Sequence, residues 1–251
     1  LSASHLRYFA LSHAELDGER LEEYREIPGL AGLTHLHLTY SLDEISGPAL
    51  ARWTHLPNLR HLNLHFGTLH TVGAEALAGS TILSQLRELH IGFHEIGNRG
   101  VEALLQSPHL GQLESLDLCH SEATTLLGRT LGRWPGLNRL RELSLYYNGL
   151  RDSGLKTLLA SRHLSALRAL NIAHCDLEGD AGQLLGGAAR LSELRKLTIW
   201  GNELGDRGAT ALIRSPHLQR LECLDATEAT FPKRARTRLK AQFGDRYLSG
   251  E

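Results

Sequence analysis

Histidine and glutamate side chains recur at short, regular spacings in the first half of the chain. His35 and His37 are two residues apart, and so are Glu88 and His90. Residues two apart on a β-strand point to the same face, so each pair presents two donors to one side of a sheet. Imidazole nitrogen and carboxylate oxygen are ligands of Zn²⁺. Together with His61, these residues form one candidate site, a surface that binds a metal or a small ligand.

Nucleophilic catalysis has little support in the sequence. Cys119 lies two residues after Asp117 and directly before His120. Adjacent residues of a strand face opposite sides, however, and no oxyanion-hole element is evident. The sequence also contains no glycine-rich phosphate loop and no His-Glu-x-x-His motif. We therefore expect neither enzyme activity nor a cofactor.

Composition disfavours several classes of partner. The chain has 27 basic and 28 acidic residues and a net charge of −1. This balance gives no general attraction to nucleic acid or to anionic membranes. No apolar stretch is long enough to span a bilayer, and three cysteines cannot form a disulfide framework. The expected partners thus exclude nucleic acid and membrane, and the expected location is cytoplasmic.

A repeat supplies the elements that must position these side chains. The pattern Leu-x-x-Leu-x-Leu recurs at intervals of 26 or 27 residues. It begins at Leu6, Leu33, Leu59, Leu86, Leu113, Leu140, Leu167, Leu194 and Leu221. Because no linker interrupts these nine repeats, we predict a single solenoid domain over residues 1–231.

Each repeat has two halves with different periodicities. Apolar and polar residues alternate around Leu143 and Leu145, which predicts a strand, whereas residues 208–218 have helical spacing. A glycine recurs fourteen residues after the first Leu, as at Gly47 and Gly208, and we expect it to ease the turn into the helix. Strands pack about 4.8 Å apart and helices about 8–10 Å apart. The stack is therefore predicted to be a curved α/β horseshoe, with the parallel sheet on the concave face and the helices on the convex face.

These repeats resemble the ribonuclease-inhibitor-like type of leucine-rich-repeat protein. The run Gly-Asp-Arg-Gly-Ala-Thr-Ala-Leu at 205–212 is similar to the 27-residue repeats of bacterial members. The position that is usually Asn is Asn only at Asn148 and Asn202, which weakens the case for a continuous Asn ladder. It is otherwise Ala14, Ser41, Gly67, His94, Ser121, Cys175 and Ala229. The resemblance implies a non-enzymatic binding scaffold and an additional domain before Leu1.

The concave face is the surface that is free to encode function. Counting the first Leu of a repeat as position 1, positions 4 and 6 face the core, and positions 3, 5, 7 and 8 project outward. Position 8 is a flat ring in seven consecutive repeats, which either covers the edge of the core or binds a partner. Exposed aromatic rings favour binding because they bury a large area at low entropic cost.

A protein or peptide on this face is the favoured interpretation, because a flat sheet splays its side chains while a metal needs convergent ligands. Trp200 and Tyr146 at position 7 are the strongest candidates for contact. The predicted partner-binding residues are His35, His37, Tyr40, His61, His65, Phe66, His90, Phe93, His120, Tyr146, Tyr147, His174 and Trp200.

Two further features have structural interpretations. Residues 232–251 are predicted to form a capping helix and tail, with Ala235, Leu239 and Phe243 covering the last open core. Four histidines recur just before the Leu that closes each helical half, and an architectural role is expected for them. They are His55, His109, His163 and His217, while His5, His70 and His94 belong to neither this group nor the concave face.

Overall fold

A computed structural model describes residues 6–13, 16–27, 29–227 and 231–248. The chain divides into two compact units, unit 1 over Leu1–Glu122 and unit 2 over Ala123–Glu251. Both units alternate a short strand with a helix, as the periodicities predict. Leu1, His5, Ala14 and Ala229 lie outside the described residues.

The strands of unit 1 pair in parallel and in chain order. They are β1 (Tyr8–Ser12), β2 (His35–Thr39), β3 (His61–Asn63), β4 (Glu88–His90) and β5 (Ser115–Asp117). The helices described in this unit are α1 (Gly18–Arg25), α2 (Ser46–Ala51), α3 (His70–Ala78) and α4 (Gly97–Gln106). Short 3₁₀ turns over Leu30–Gly32 and Thr81–Leu83 lead into β2 and β4.

Unit 2 repeats this arrangement with parallel strands in chain order. Its strands are β6 (Glu142–Ser144), β7 (Ala169–Asn171), β8 (Lys196–Thr198), β9 (Cys223–Asp225) and β10 (Tyr247–Leu248). Its helices are α5 (Leu126–Arg133), α6 (Arg151–Leu159), α7 (Ala181–Gly186), α8 (Gly205–Arg214) and α9 (Lys233–Phe243). Further 3₁₀ turns span Pro135–Asn138, Leu164–Ala166, Ala189–Leu191 and Gly244–Arg246. Within the described ranges, no helix combines the length and the hydrophobicity needed to cross a membrane.

The leucine pattern determines which side of each strand is buried. In β2, Leu36 and Leu38 at positions 4 and 6 are fully buried, whereas His35 and His37 are partly exposed. Leu36 pairs with Leu62 of β3, so identical core residues stack from one repeat to the next. A single repeat cannot bury its own apolar stripe, and this stacking completes the core.

The recurring glycines pack helix against helix. A Cβ atom added to Gly47 of α2 would lie 2.3 Å from the Cα of Gly73 in α3, and one on Gly182 would lie 2.3 Å from the Cα of Gly208. Such close backbone approach excludes any side chain. These glycines lie inside their helices, so the expectation that they ease the turn into the helix is wrong.

Asn202 at position 9 ties two repeats of unit 2 together. Its side-chain amide donates hydrogen bonds to the carbonyls of Ile172 and Ile199, at 2.9 and 2.8 Å. Its Oδ1 accepts from the backbone amides of Cys175 and Leu177, at 3.0 and 3.1 Å. The buried side chain thus satisfies backbone groups that the turn after each strand leaves unpaired.

His94 takes the same role in unit 1. Its buried ring bonds through Nε2 to the carbonyl of Leu64, 30 residues earlier, and through Nδ1 to the amide of Leu69, 25 residues earlier. Asn202 uses partners at the same two offsets. A Cβ on Gly67 would lie 2.7 Å from the His94 ring, so this glycine provides the space that an imidazole requires. Burial lowers the pKa of His94 to about 4, and the hydrogen bond to the carbonyl of Leu64 offsets part of that shift.

Serine hydroxyls link the ends of successive helices. The donors are Ser80, Ser107, Ser161 and Ser215, and the acceptors are the carbonyls of Ala51, Ala78, Gly132 and Gly186. Three of these serines also accept a hydrogen bond from the backbone amide of a recurring histidine, at 3.2 Å in each case. These histidines are His109, His163 and His217. The repeated architectural contact is therefore made by the serine and by the histidine backbone.

Unit 2 ends with α9 on the helical side and β10 in the sheet. Helix α9 buries Ala235, Leu239 and Phe243, and Arg234 pairs with Asp206 of α8 at 3.0 Å. The exposed face of this helix carries the remaining basic side chains, as expected for a solvated cap.

Candidate functional site

The predicted contact residues lie at positions 3, 5, 7 and 8 of the repeats. We call the side of the strands that carries positions 3 and 5, opposite the buried leucines, the strand face. Residues at positions 3 and 5 alternate with buried ones along every strand, and most are partly exposed. Unit 1 carries His35, His37, Tyr40, His61, His65, Phe66, His90, Phe93 and His120. Unit 2 carries Tyr146, Tyr147, His174 and Trp200.

Imidazole rings pack together on the strand face of unit 1. The rings of His35 and His61 stack with centroids 4.0 Å apart, and Nδ1 of His61 lies 2.8 Å from Oε2 of Glu88. With His37 and His90, these residues line a depression of about 250 Å³. The five residues of the candidate ligand surface are therefore neighbours in the folded chain.

Burial and neighbouring charge lower the pKa of two histidines in this cluster. Burial, followed by the positive charge of His61, lowers the pKa of His35, and Glu88 offsets part of that shift. Burial, followed by the charge of His35, also lowers the pKa of His37. These two imidazoles are therefore neutral at pH 7 and offer nitrogen lone pairs rather than positive charge.

Position 8 forms a continuous row of stacked rings in unit 1. Successive ring centroids lie 4.5, 4.2, 4.3 and 5.0 Å apart. The row consists of His13, Tyr40, Phe66, Phe93 and His120. Tyr40 is 49% exposed, so one side of the row remains in contact with solvent.

The backbone at position 8 is left-handed in both units. Its φ angle lies between 46° and 65° in the seven repeats that carry a ring there. This conformation costs a non-glycine residue roughly 1–2 kcal/mol. Gly201 occupies position 8 of the eighth repeat with a φ of 69°, so the fold accepts glycine at this place. The fold itself therefore does not require a ring at position 8.

Unit 2 presents a compact group of rings. The centroids of Tyr146 and Trp200 lie 5.3 Å apart, and the ring of His174 meets Trp200 edge-on at 4.6 Å. Tyr147, next to Tyr146, is 50% exposed. The sequence-based candidates in this unit are thus brought together into one aromatic patch.

A small residue at position 7 lets the position 7 side chains of the repeats before and after it meet. Ala173 is fully buried between the repeats that carry Tyr146 and Trp200, and it leaves room for those two rings to touch. Gly92 lies in the same way between His65 and Cys119. Cys119 at position 7 is only 4% exposed, because its thiol fills the space that Gly92 leaves next to His65.

The Gly92 gap brings together a group that the sequence does not reveal. The donor atoms of His65, Asp117 and Cys119 all lie within 4.8 Å of one another. Burial, followed by the charge of Asp117, raises the pKa of the Cys119 thiol. A nucleophilic cysteine needs the opposite shift, so this group is not an activated nucleophile.

Comparison with known proteins agrees with the repeat pattern. A family model described as Leucine Rich repeat matches residues 55–78, 84–105 and 137–159. The chain contains leucine-rich repeats. Its α/β solenoid fold class, predicted from the nine leucine patterns, is confirmed. No curated protein matches the chain in sequence.

Solved leucine-rich-repeat structures share the fold at low sequence identity. A chain from the crystal structure of the yeast Rad7 and Elc1 complex is 18% identical with a TM-score of 0.55, over 94% of this chain and 67% of that one. A Bacteroides fragilis protein is 12% identical with a TM-score of 0.60, over 98% and 75%. The plant peptide hormone receptor RGFR1 in complex with RGF2 is 17% identical with a TM-score of 0.51, over 94% and 38%. At this identity the likeness shows the fold alone.

The leucine-rich-repeat register explains the buried histidine that sequence analysis left unassigned. His94 stands at the position that is usually Asn, and its partners match those of Asn202. Gly67, one repeat earlier, was the available sequence signal, because the larger imidazole needs space there.

Proposed function

We propose that this leucine-rich-repeat chain is a non-enzymatic interaction module that binds a protein or peptide on its strand face. The predicted partner-binding residues within each unit are the proposed contact residues. The chemistry of this surface is aromatic and imidazole-rich, which suits burial of apolar and aromatic partner side chains.

The row of rings at position 8 carries this proposal. Each ring occupies a strained backbone position at which Gly201 shows glycine to be acceptable. Stacking offsets part of that strain, at roughly 0.5–1.5 kcal/mol for each pair. The half-exposed Tyr40 and Tyr147 remain available for contact, and such exposed rings are typical of binding hot spots.

Two structural neighbours fit the proposed class of partner. One is from the complex of Rad7 with Elc1, and the other is a peptide hormone receptor in complex with RGF2. A protein partner and a peptide partner are therefore both compatible with this kind of scaffold. Enzyme activity is not part of the proposal, because burial and Asp117 raise the pKa of the Cys119 thiol and so keep it protonated.

Removing the rings of unit 2 tests the proposal directly. The triple variant Tyr146→Ala, Tyr147→Asn and Trp200→Ala deletes the aromatic patch, and Asn is chosen at position 8 because it tolerates the left-handed backbone. Wild-type and variant chains are immobilised and exposed to lysate of the native host. Captured proteins are identified by mass spectrometry, purified, and titrated calorimetrically. We expect the partner's Kd to rise about 100-fold or more, since three hot-spot rings are lost.

A matched control removes exposed apolar side chains from the helices instead. Val72 of α3 is 61% exposed and Leu126 of α5 is 43% exposed. The variant Val72→Asn with Leu126→Asn should keep the partner's affinity. Circular dichroism checks that all chains fold. Equal affinity of the wild type and the ring-deleted chain would contradict the proposed surface, and so would recovery of nucleic acid as the bound species.

The finer expectations from the sequence are part of the same proposal. They are a ribonuclease-inhibitor-like, bacterial type of repeat, a cytoplasmic location, and one solenoid domain over 1–231 followed by a cap over 232–251. Fractionation of the native host tests the location, and limited proteolysis of the purified chain tests the domain boundary.

A further inference from the structure

Three metal-ligating side chains converge in unit 1, namely those of His65, Asp117 and Cys119. Their donor atoms are mutually within 4.8 Å, and Nε2 of His65 lies 3.4 Å from Oδ2 of Asp117. The exposed fraction is 19% for the side chain of His65, 21% for that of Asp117 and 4% for Cys119. The group is thus sheltered, unlike the neighbouring cluster around His61, whose pairing partner Glu88 is 42% exposed.

The repeat geometry explains why these donors meet. His65 and Cys119 occupy position 7 in repeats that are two apart, so a side chain at position 7 of the intervening repeat would separate them. That residue is Gly92, and a Cβ there would lie 2.2 Å from Sγ of Cys119 and 3.2 Å from Nε2 of His65. The space is therefore filled by the thiol, which reaches toward the imidazole.

The donor atoms are held in place but incompletely satisfied. Oδ1 of Asp117 accepts the backbone amide of Cys119 at 2.8 Å, which leaves Oδ2 directed toward His65. The backbone amide of His65 donates to Oδ1 of Asn63 at 3.0 Å. Nε2 of His65 is buried, yet it makes no hydrogen bond of acceptable geometry with any described residue. Buried polar atoms of this kind usually have a partner, and a bound ion is one such partner.

We propose that His65, Asp117 and Cys119 form a binding site for Zn²⁺. Thiolate, imidazole and carboxylate are its usual ligands, and a thiolate selects against Mg²⁺ and Ca²⁺. Zn–N and Zn–O bonds of about 2.0–2.1 Å give a tetrahedral edge of about 3.3–3.4 Å. The observed distance of 3.4 Å between Nε2 and Oδ2 matches such an edge.

Charge balance favours the same ion. A thiolate and a carboxylate together neutralise the two charges of Zn²⁺, so the loaded site is uncharged and suits a partly buried place. On binding, the S–H bond of Cys119 breaks, a Zn–S bond forms, and the proton leaves to solvent. Three protein ligands leave one tetrahedral position for water or another donor. No redox step is involved.

Cobalt substitution provides the decisive test. The full chain is stripped with a chelator and titrated with Co²⁺ and then with Zn²⁺. We expect one equivalent of Co²⁺ to bind, with a thiolate-to-cobalt charge-transfer band in the near ultraviolet, and Zn²⁺ to displace it. Zinc binding should release about one proton per ion, measured with a pH indicator in weak buffer. It should also raise the unfolding temperature, because only the folded chain holds the site.

Variants assign the ligands. Cys119→Ser should abolish the charge-transfer band and weaken Zn²⁺ binding at least about 100-fold. Cys223→Ser, which changes a partly exposed cysteine of unit 2, is the matched control and should leave both unchanged. Should Cys119→Ser not fold, His65→Gln should lose the metal while all three thiols remain.

Three results would overturn the assignment: less than stoichiometric Zn²⁺ binding by the wild type, a charge-transfer band that survives Cys119→Ser, or loss of the metal from His35→Gln with His61→Gln. The last result would move the metal to the histidine cluster. Partner capture is measured separately, so failure of this site leaves the proposed binding function untouched.

Discussion

The two units use one backbone device for different chemistry. In unit 1, Gly92 lets His65 approach Cys119 across an intervening strand. In unit 2, the fully buried Ala173 lets Tyr146 meet Trp200 at 5.3 Å. The contact is polar in one unit and aromatic in the other, although the positions within the repeat are the same. The two units therefore differ in the chemistry of a few side chains, while the backbone of the repeat stays the same.

The interior shows the same contrast. Asn202 and His94 connect to a carbonyl 30 residues earlier and to an amide 25 residues earlier. Unit 2 makes these bonds with a carboxamide that does not titrate, whereas unit 1 makes them with an imidazole that does. This difference between the units can be tested by replacing Asn202 or His94, by changing pH, or by altering the small residue at position 7.

Truncation of the position 9 side chains should have the largest effect. Asn202→Ala leaves four backbone groups without their partner, and His94→Ala leaves two and opens a cavity. We expect each to lower the free energy of unfolding by about 3–5 kcal/mol. Urea denaturation of wild type and variants provides the measurement. A loss below 1 kcal/mol for either variant would show that its hydrogen bonds are replaceable.

The second largest effect should come from acid, which destabilises the folded chain through His94. The unfolded imidazole titrates near its ordinary value of 6.5, while the folded pKa is about 4. Above pH 6.5 both states are neutral and His94 contributes no pH dependence. Below it the unfolded state binds a proton that the folded state does not, so stability falls as pH drops from 6.5 to about 4, by up to about 3 kcal/mol.

His94→Asn is the control for this effect. Asn at position 9 makes the same contacts in unit 2, so the variant should fold at pH 7. Its stability should vary less between pH 6.5 and 4 than that of the wild type. An equal acid dependence in both proteins would assign the effect to other groups.

Changes at position 7 should have the smallest effects. Added side-chain volume is tested in unit 1, and removed volume is tested in unit 2. Gly92→Ala overpacks unit 1, since its Cβ would lie 2.2 Å from Sγ of Cys119, and should cost about 2 kcal/mol. Ala173→Gly in unit 2 creates space and loosens the backbone, at about 1 kcal/mol. Thermal unfolding compares the two. Only Gly92→Ala should abolish the cobalt charge-transfer band, and a band that persists would argue that the thiol does not need this gap.

Much of the fold could be predicted because it is periodic. Nine leucine patterns determine strand positions, buried faces and the alternation with helices. The packing role of the glycines could not be predicted, since it depends on how one repeat lies on the next, which brings Gly47 so close to Gly73 that an added Cβ would lie 2.3 Å from the Gly73 Cα.

The site was less predictable for a related reason. Alternation along a strand predicts that Asp117 and Cys119 share a face, but the approach of His65 to Cys119 depends on the side chain that is missing at Gly92 in the repeat between them. The repeat places His94 at the position that is usually Asn, but its role could not be predicted because an imidazole differs in type from a carboxamide, although both bond to backbone groups at the same offsets.

The rings at position 8 also have a regular spacing that a bound peptide would have to match. Ring centroids in unit 1 recur every 4.2–5.0 Å. One side of an extended peptide offers a side chain only every 6.7 Å or so, because strands rise about 3.3–3.4 Å per residue. The side chains of a peptide lying along the row therefore coincide with the rings only at intervals, because the two spacings differ. Three ring spacings span about 13 Å, close to four residues of an extended chain. Selectivity for partner sequence along the row would then repeat with a period of four residues.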